Sequence, residues 1–229
     1  MNRLLRLFGT TIGRKLVVAV SGFLMIGFLI AHMFGNMVVF QGRDAMNSYA
    51  AWLQGHPLLW IGRLALLGVF CVHVYLALRL ALANRAARPL SYEREQAVAA
   101  SVASRRIALT GLLVLLFVLY HLLHFTFGQV QPEHASLIDG NDRHDVYAMM
   151  VYGFQSPWVA GSYVAAMLLL GMHLAHGASS LFQTLGFNHE SYNALIRLLS
   201  FALVAAIVIG NCSIPILVLA GVISPTGGP

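Results

Sequence analysis

Ten histidines stand in a chain that carries only 14 Lys and Arg and 8 Asp and Glu. Five of them, His32, His73, His121, His173 and His176, fall inside long stretches poor in charge, and His124 lies near the end of one such stretch. A neutral imidazole can ligate a metal, carry a proton or bond to a neighbouring helix. At membrane depth it marks a functional site by default. The two cysteines, Cys71 and Cys212, also lie in apolar stretches. They cannot hold an iron–sulfur cluster, which takes four thiolates, and no C-x-x-C-H attaches a haem covalently.

The elements that must position these histidines follow from composition. Apolar residues make up 59% of the 229 positions and charged residues 10%, against roughly 45–50% and about 25% in soluble domains. Residues 16–40, 107–131, 146–188 and 198–229 carry no formal charge. A fifth apolar run, Leu58–Asn84, has Arg63 and Arg79 near its ends, where long side chains can snorkel. A bilayer core needs about 20 apolar residues in helical form. The expected fold is an all-α integral membrane protein, one domain over 1–229, with helices at about 16–40, 58–84, 106–128, 157–184 and 192–222. The first four are expected to form a bundle.

The net charge of +6 is placed for topology and not for nucleic acid. Eleven Lys and Arg fall in one set of loops, and only Arg43, Arg63 and Arg143 in the other. By the positive-inside rule the N-terminus is expected in the cytoplasm and the C-terminus, after five crossings, outside. No cleavable signal is expected, because the first apolar run is too long and Arg14–Lys15 precede it. Arg85–Arg105 is expected to be a cytoplasmic linker with a short surface helix. The run Val146–Phe154 is expected to lie along the outer membrane surface.

Depth then sorts the histidines. Counted along their helices, His32 and His121 sit about 24 and 22 Å from the inner edge, and His73 and His173 each about 16 Å. Two histidines share an outer level and two an inner level, each pair from two parallel helices. Bundles build cofactor sites from such inward-facing side chains. Two imidazoles facing each other across a haem-sized gap make a bis-histidine haem site, so two b haems are expected, stacked across the membrane. Interhelical hydrogen bonding is the plainer alternative. Zinc fits less well, since no three histidines share a level with a carboxylate or thiolate.

The remaining polar groups have secondary assignments. His176, one turn from His173, is expected near a haem propionate or a water. Arg79 lies on the propionate side of the inner haem, or else snorkels to lipid phosphates. His124, Asn36, Gln54 and His56 are candidates for a quinone site at the outer end, where a carbonyl reduced to a hydroxyl needs a proton-donating neighbour. Glycines 22, 27, 62, 68, 171 and 177 would let helices approach closely.

A series of segments runs through the chain: Gly13-Arg-Lys with Ser21-Gly22, Ala31-His32-Met33-Phe34-Gly35-Asn36, Gly42-Arg43-Asp44-Ala45-Met46-Asn47-Ser48-Tyr49 and His73-Val-Tyr-Leu-Ala-Leu-Arg79. Tyr120-His121-Leu-Leu-His124, Asp145-Val-Tyr with Gly153-Phe154 and Pro157-Trp158, His173-Leu-Ala-His176-Gly177, Gln183-Thr-Leu-Gly186 and Ile214-Pro215 follow in order. Together they resemble the cytochrome b anchor of succinate dehydrogenase and fumarate reductase complexes, of the five-helix, di-haem type. The resemblance implies one ligand from each of helices one to four, His32 with His121 and His73 with His173. It implies menaquinone as electron acceptor, and a flavoprotein and an iron–sulfur subunit docked on the cytoplasmic side of a bacterial inner membrane. Succinate oxidation would then occur on a partner, since this chain has no Gly-rich dinucleotide motif. Some fumarate reductase relatives carry a glutamate two residues before the fourth ligand; here that position is Gly171, so no carboxylate proton relay is expected. The rival readings are a haem b anchor of another quinone-linked oxidoreductase, fumarate reduction in the reverse direction, and a proton- or metal-coupled transporter.

Overall fold

The computed structural model describes residues 9–86, 107–187 and 189–225. Eight α-helices run through them: α1 (Thr11–Met37), α2 (Arg43–Gly55), α3 (Leu58–Ala86), α4 (Ile107–His121), α5 (Pro132–Ala135), α6 (Val146–Gln155), α7 (Pro157–Thr184) and α8 (Glu190–Leu219). Among the described residues the only bridge outside helices joins Ile138 and His144. Five helices, α1, α3, α4, α7 and α8, are long and apolar enough to cross a membrane. The expected fold class is therefore the observed one. The linker helix expected within Arg85–Arg105 falls almost entirely outside the described residues.

Local chemistry explains the helix boundaries. The Thr10 hydroxyl accepts from the Gly13 amide at 3.0 Å and starts α1, as a threonine N-cap does. Past a short 3-10 turn, Val38–Gln41, Gly42 turns the chain with φ +96°, a conformation that suits glycine. Asp145 caps α6 by accepting from the Ala148 amide at 3.0 Å. Proline at the first turn of α7 costs no hydrogen bond there. Beyond His121, α4 widens into a π-turn over Leu122–Thr126.

The spans close into a ring in chain order. α1 packs on α3, α4 on α7, and α7 on α1, while α3 touches α4 only lightly. The two diagonals of this ring are therefore α1 with α4 and α3 with α7. α8 lies outside the ring against α7 and α1. There Gly210 meets Met33 and Gly171 meets Val208, each so closely that a methyl would overlap its neighbour. Sulfur, branched and small side chains of α7 and α8 fill this contact, among them Met167, Leu170, Leu174, Val204 and Ile207. By contrast, α3 has no buried residue along its 29 positions, as expected of a helix facing lipid on one side and a loosely filled bundle on the other.

Two elements at one end of the bundle differ from expectation. The segment after α1, expected to be a loop, is the helix α2. The run Val146–Phe154, expected to lie on the membrane surface, is instead a helix whose Tyr147, Met149, Met150, Val151 and Phe154 are buried. α6 packs on α2, α7 and α8 and closes that end of the bundle, which we call the capped end. Its apolar side chains meet Val39, Met46, Tyr163, Ile214 and Val218 and not lipid.

Candidate functional site

Across the first diagonal, His32 of α1 meets His121 of α4. Their ring centroids are 5.8 Å apart and the planes nearly perpendicular, at 87°. Phe28 stacks on His32 at 5.3 Å, and Phe117 and Phe125 flank His121 at 6.0 and 5.8 Å. The two histidine rings bridge α1 and α4.

On the second diagonal, His73 of α3 and His173 of α7 are each held by the helix beside them, and in the same way. The Nδ1 of His73 lies 3.0 Å from the Ser21 hydroxyl of α1, and the Nδ1 of His173 lies 3.4 Å from the Thr110 hydroxyl of α4. Each hydroxyl spends its one hydrogen on its own helix backbone: Ser21 on Val17 at 2.7 Å and Val18 at 3.1 Å, Thr110 on Ile107 at 3.0 Å. Its oxygen is left to accept, so Nδ1 of each histidine carries the proton and Nε2 keeps its lone pair. Each ring also lies over the glycine that follows the hydroxyl. A Cβ on Gly22 would come within 3.4 Å of His73 Cε1, and one on Gly111 within 3.2 Å of His173 Cε1. A hydroxyl–glycine pair therefore seats each of these two histidines.

His176 is half-buried on α7, and the Ser179 hydroxyl donates to its backbone carbonyl at 3.0 Å. No such seat faces its ring among the described residues. His173→Ala should therefore lose whatever the second diagonal binds, and His176→Ala should retain it. Cofactor content of the two purified variants checks this, and the reverse result would reassign the ligand. Arg79 is exposed on α3.

The groups expected at a quinone site are dispersed in role. His124 is 3% exposed and has both ring nitrogens engaged, Nδ1 with Tyr163 Oη at 3.0 Å and Nε2 with Gln131 Oε1 at 2.8 Å. It belongs to the interior and not to an open rim. His56 accepts from the Leu58 amide at 3.3 Å and helps start α3. Gln54 is exposed on α2, and Asn36 is half-buried in the last turn of α1. Gly171 is buried against α8, and a Cβ there would stand 2.8 Å from Val208 Cγ2. A carboxylate has no room at that position.

Sequence reasoning missed a polar clamp at the capped end. Arg43 Nε donates to Asp145 Oδ2 at 2.8 Å, and its Nη2 reaches the same oxygen. Asn47 Nδ2 donates to Asp145 Oδ1 at 2.9 Å and to Asp139 Oδ2 at 3.1 Å, while its own carbonyl accepts from the Tyr147 amide at 3.0 Å. Arg143 joins Asp139, Asp44 and Ser48 at 2.9, 2.7 and 2.6 Å. Asp145 and Asn47 are wholly buried. Burial alone would raise the Asp145 carboxyl, but the hydrogen bonds from Arg43, Ala148 and Asn47 outweigh it and hold it below the usual range. Arg143 holds Asp139 lower still. One signal was available: Arg43 and Arg143 are two of only three cations on their side, and the same loops carry Asp44, Asp139 and Asp145.

Fold and site define an all-α protein with five membrane-crossing helices and two histidine pairs set across a four-helix ring. Among the described residues no three His, Cys, Asp or Glu converge as a metal cage would require. No protein-family model matches the chain, and neither a curated protein nor a solved structure does.

Proposed function

We propose that this chain is the membrane-anchor cytochrome b of a succinate:menaquinone oxidoreductase. The observation that carries the reading is the pair of histidine diagonals. Two imidazoles on one iron, each with a metal–nitrogen distance of about 2 Å, put ring centroids about 6 Å apart. The 5.8 Å between His32 and His121 fits that spacing. The hydroxyl–glycine seats add the chemistry of the donors, since each presents Nε2 with its lone pair free. His32 and His121 would hold the outer haem, and His73 and His173 the inner one. A haem iron with both axial positions filled by imidazole exchanges single electrons and does not readily bind oxygen.

The chain's own part is placement. Ser21 and Thr110 fix two of the four rings, and Gly22 and Gly111 let those rings approach the neighbouring helix. The aromatic rings of Phe28, Phe117 and Phe125 keep water from the His32–His121 level. Electrons would enter from an iron–sulfur subunit on the cytoplasmic face and leave to menaquinone at the outer end, with succinate oxidised on a flavoprotein partner. Asn36, Gln54 and His56 remain the candidates for contacting the quinone. His124 does not, because the protein already occupies both of its nitrogens. A pyridine haemochrome assay on the purified chain tests the reading. Two b haems per polypeptide are expected, and one or none would overturn it.

A further inference from the structure

The capped end holds a line of hydrogen bonds that ends on the proposed outer ligand. Gln131 Oε1 lies 2.8 Å from His124 Nε2, His124 Nδ1 lies 3.0 Å from Tyr163 Oη, and Tyr163 Oη lies 3.4 Å from His121 Nδ1. Four side chains from the loop, the π-turn, α7 and α4 are joined in series. We infer that Gln131, His124 and Tyr163 are positioning residues for His121, fixing which of its nitrogens carries the proton and strengthening it as a metal ligand. The inference rests on the di-haem reading and adds to it a device that sets the outer haem's potential.

The direction of the line follows from the donors. An amide oxygen only accepts, so Nε2 of His124 must carry the hydrogen. In a neutral imidazole the other nitrogen then accepts, so the Tyr163 hydroxyl donates a hydrogen bond to Nδ1 of His124. The Tyr163 oxygen is left to accept from Nδ1–H of His121. Nε2 of His121 then keeps its lone pair. Turning the Gln131 amide over would reverse every bond and put a proton on that nitrogen, which could then bind no metal. A glutamine at the start of the line thus decides the state of a histidine three bonds away.

Four further observations support a dedicated device. His124 and Tyr163 are 3% and 6% exposed, so water does not compete with their bonds. Aromatic rings wall the line: Phe125 stacks on His124 at 3.9 Å, and Phe154 and Phe117 stand edge-on to Tyr163 at 5.0 and 5.1 Å. Gly153 of α6 lies over the first bond. A Cβ there would come within 3.2 Å of Gln131 Oε1 and 3.3 Å of His124 Nε2, so the glycine leaves the bond its room. The π-turn, a feature that recurs at functional sites, sets His124 in the line.

A hydrogen bond from the far nitrogen of a ligating histidine raises its basicity and so favours the oxidised metal. The test is an optical redox titration of the haem-loaded protein, with haem content measured alongside. Tyr163→Phe should keep two haems, shift one midpoint potential positive and leave the other in place. His124→Phe should shift the same haem the same way, and the double variant should move it no further than Tyr163→Phe alone, because the residues act in series. Gln131→Leu, at the half-exposed end of the line, should give a smaller shift of the same sign and keeps the test open should an interior variant not assemble. Unchanged midpoints in Tyr163→Phe, or shifts that add in the double variant, would overturn the inference while leaving the di-haem reading intact. A wild-type protein without haem would overturn both.

Discussion

His121→Ala is expected to leave one haem per chain and to stop electrons from reaching quinone. The His32 and His121 rings meet across this diagonal, 5.8 Å apart. Truncation leaves His32 alone on one side of an opening walled by Phe117, Phe125 and Tyr163. One imidazole with one vacated axial position holds haem far less well, and the absorbance of reduced cytochrome b should fall to about half. Free imidazole should enter the vacated space and restore the spectrum, as small molecules fill engineered cavities. Rescue separates loss of a ligand from loss of the fold. Full haem content in His121→Ala would remove His121 from the site.

The meeting of His32 and His121 was legible because a helix advances by a fixed rise, so counting residues from a charged boundary puts the two at similar heights. The same counting placed α7 at its observed limits, 157–184, because Pro157 marks its start. What lay beside each histidine was not legible. Ser21, Thr110 and Tyr163 are ordinary residues of their helices until packing brings them to a ring. Expecting His124 at a quinone site at the outer end assumed regular α-geometry. The π-turn over Leu122–Thr126 departs from that geometry, and His124 faces Tyr163 and Gln131 inside the protein.

The two missed helices have different causes. Arg43–Gly55 begins with Asp44 and carries Asn47, Ser48 and Gln54, so its apolar pattern is thin, and no side chain caps its start. Val146–Gln155 reads as apolar whether it meets lipid or protein, and only the partner decides. That partner is recorded in polar residues distant in sequence, Arg43 and Asn47 for Asp145. Two segments distant in sequence, Gly42–Tyr49 and Asp145–Tyr147, thus meet in this clamp. Gly35 of α1 also meets Tyr49 of α2: a Cβ on Gly35 would stand 2.7 Å from the Tyr49 hydroxyl.

Asp145→Ala should be the most destabilising single change at the capped end. The carboxylate accepts from Arg43, Asn47 and the Ala148 amide at once. Without it the wholly buried Asn47 NH2 keeps only Asp139 as acceptor, and the first turn of α6 loses its cap. Arg43 is 42% exposed and can turn to water, which limits the penalty. A loss of about 3 kcal/mol is expected, within the range for breaking a buried pair and leaving donors unsatisfied. Thermal unfolding in detergent measures it, and a change below about 0.5 kcal/mol, ordinary for a surface site, would show the clamp to be incidental. Acid should act on the same bond. Because folding lowers the Asp145 carboxyl from its ordinary 3.8, its contribution is complete above that value and lost as pH falls below it. The wild type should therefore be insensitive to pH between neutrality and about 5 through this group and weaken in stronger acid, whereas Asp145→Asn should lack that component. The effect should also travel. α6 carries Gly153 over the Gln131–His124 bond, so a loosened α6 weakens that bond, and Asp145→Ala should move the midpoint of the proposed outer haem in the same direction as Tyr163→Phe.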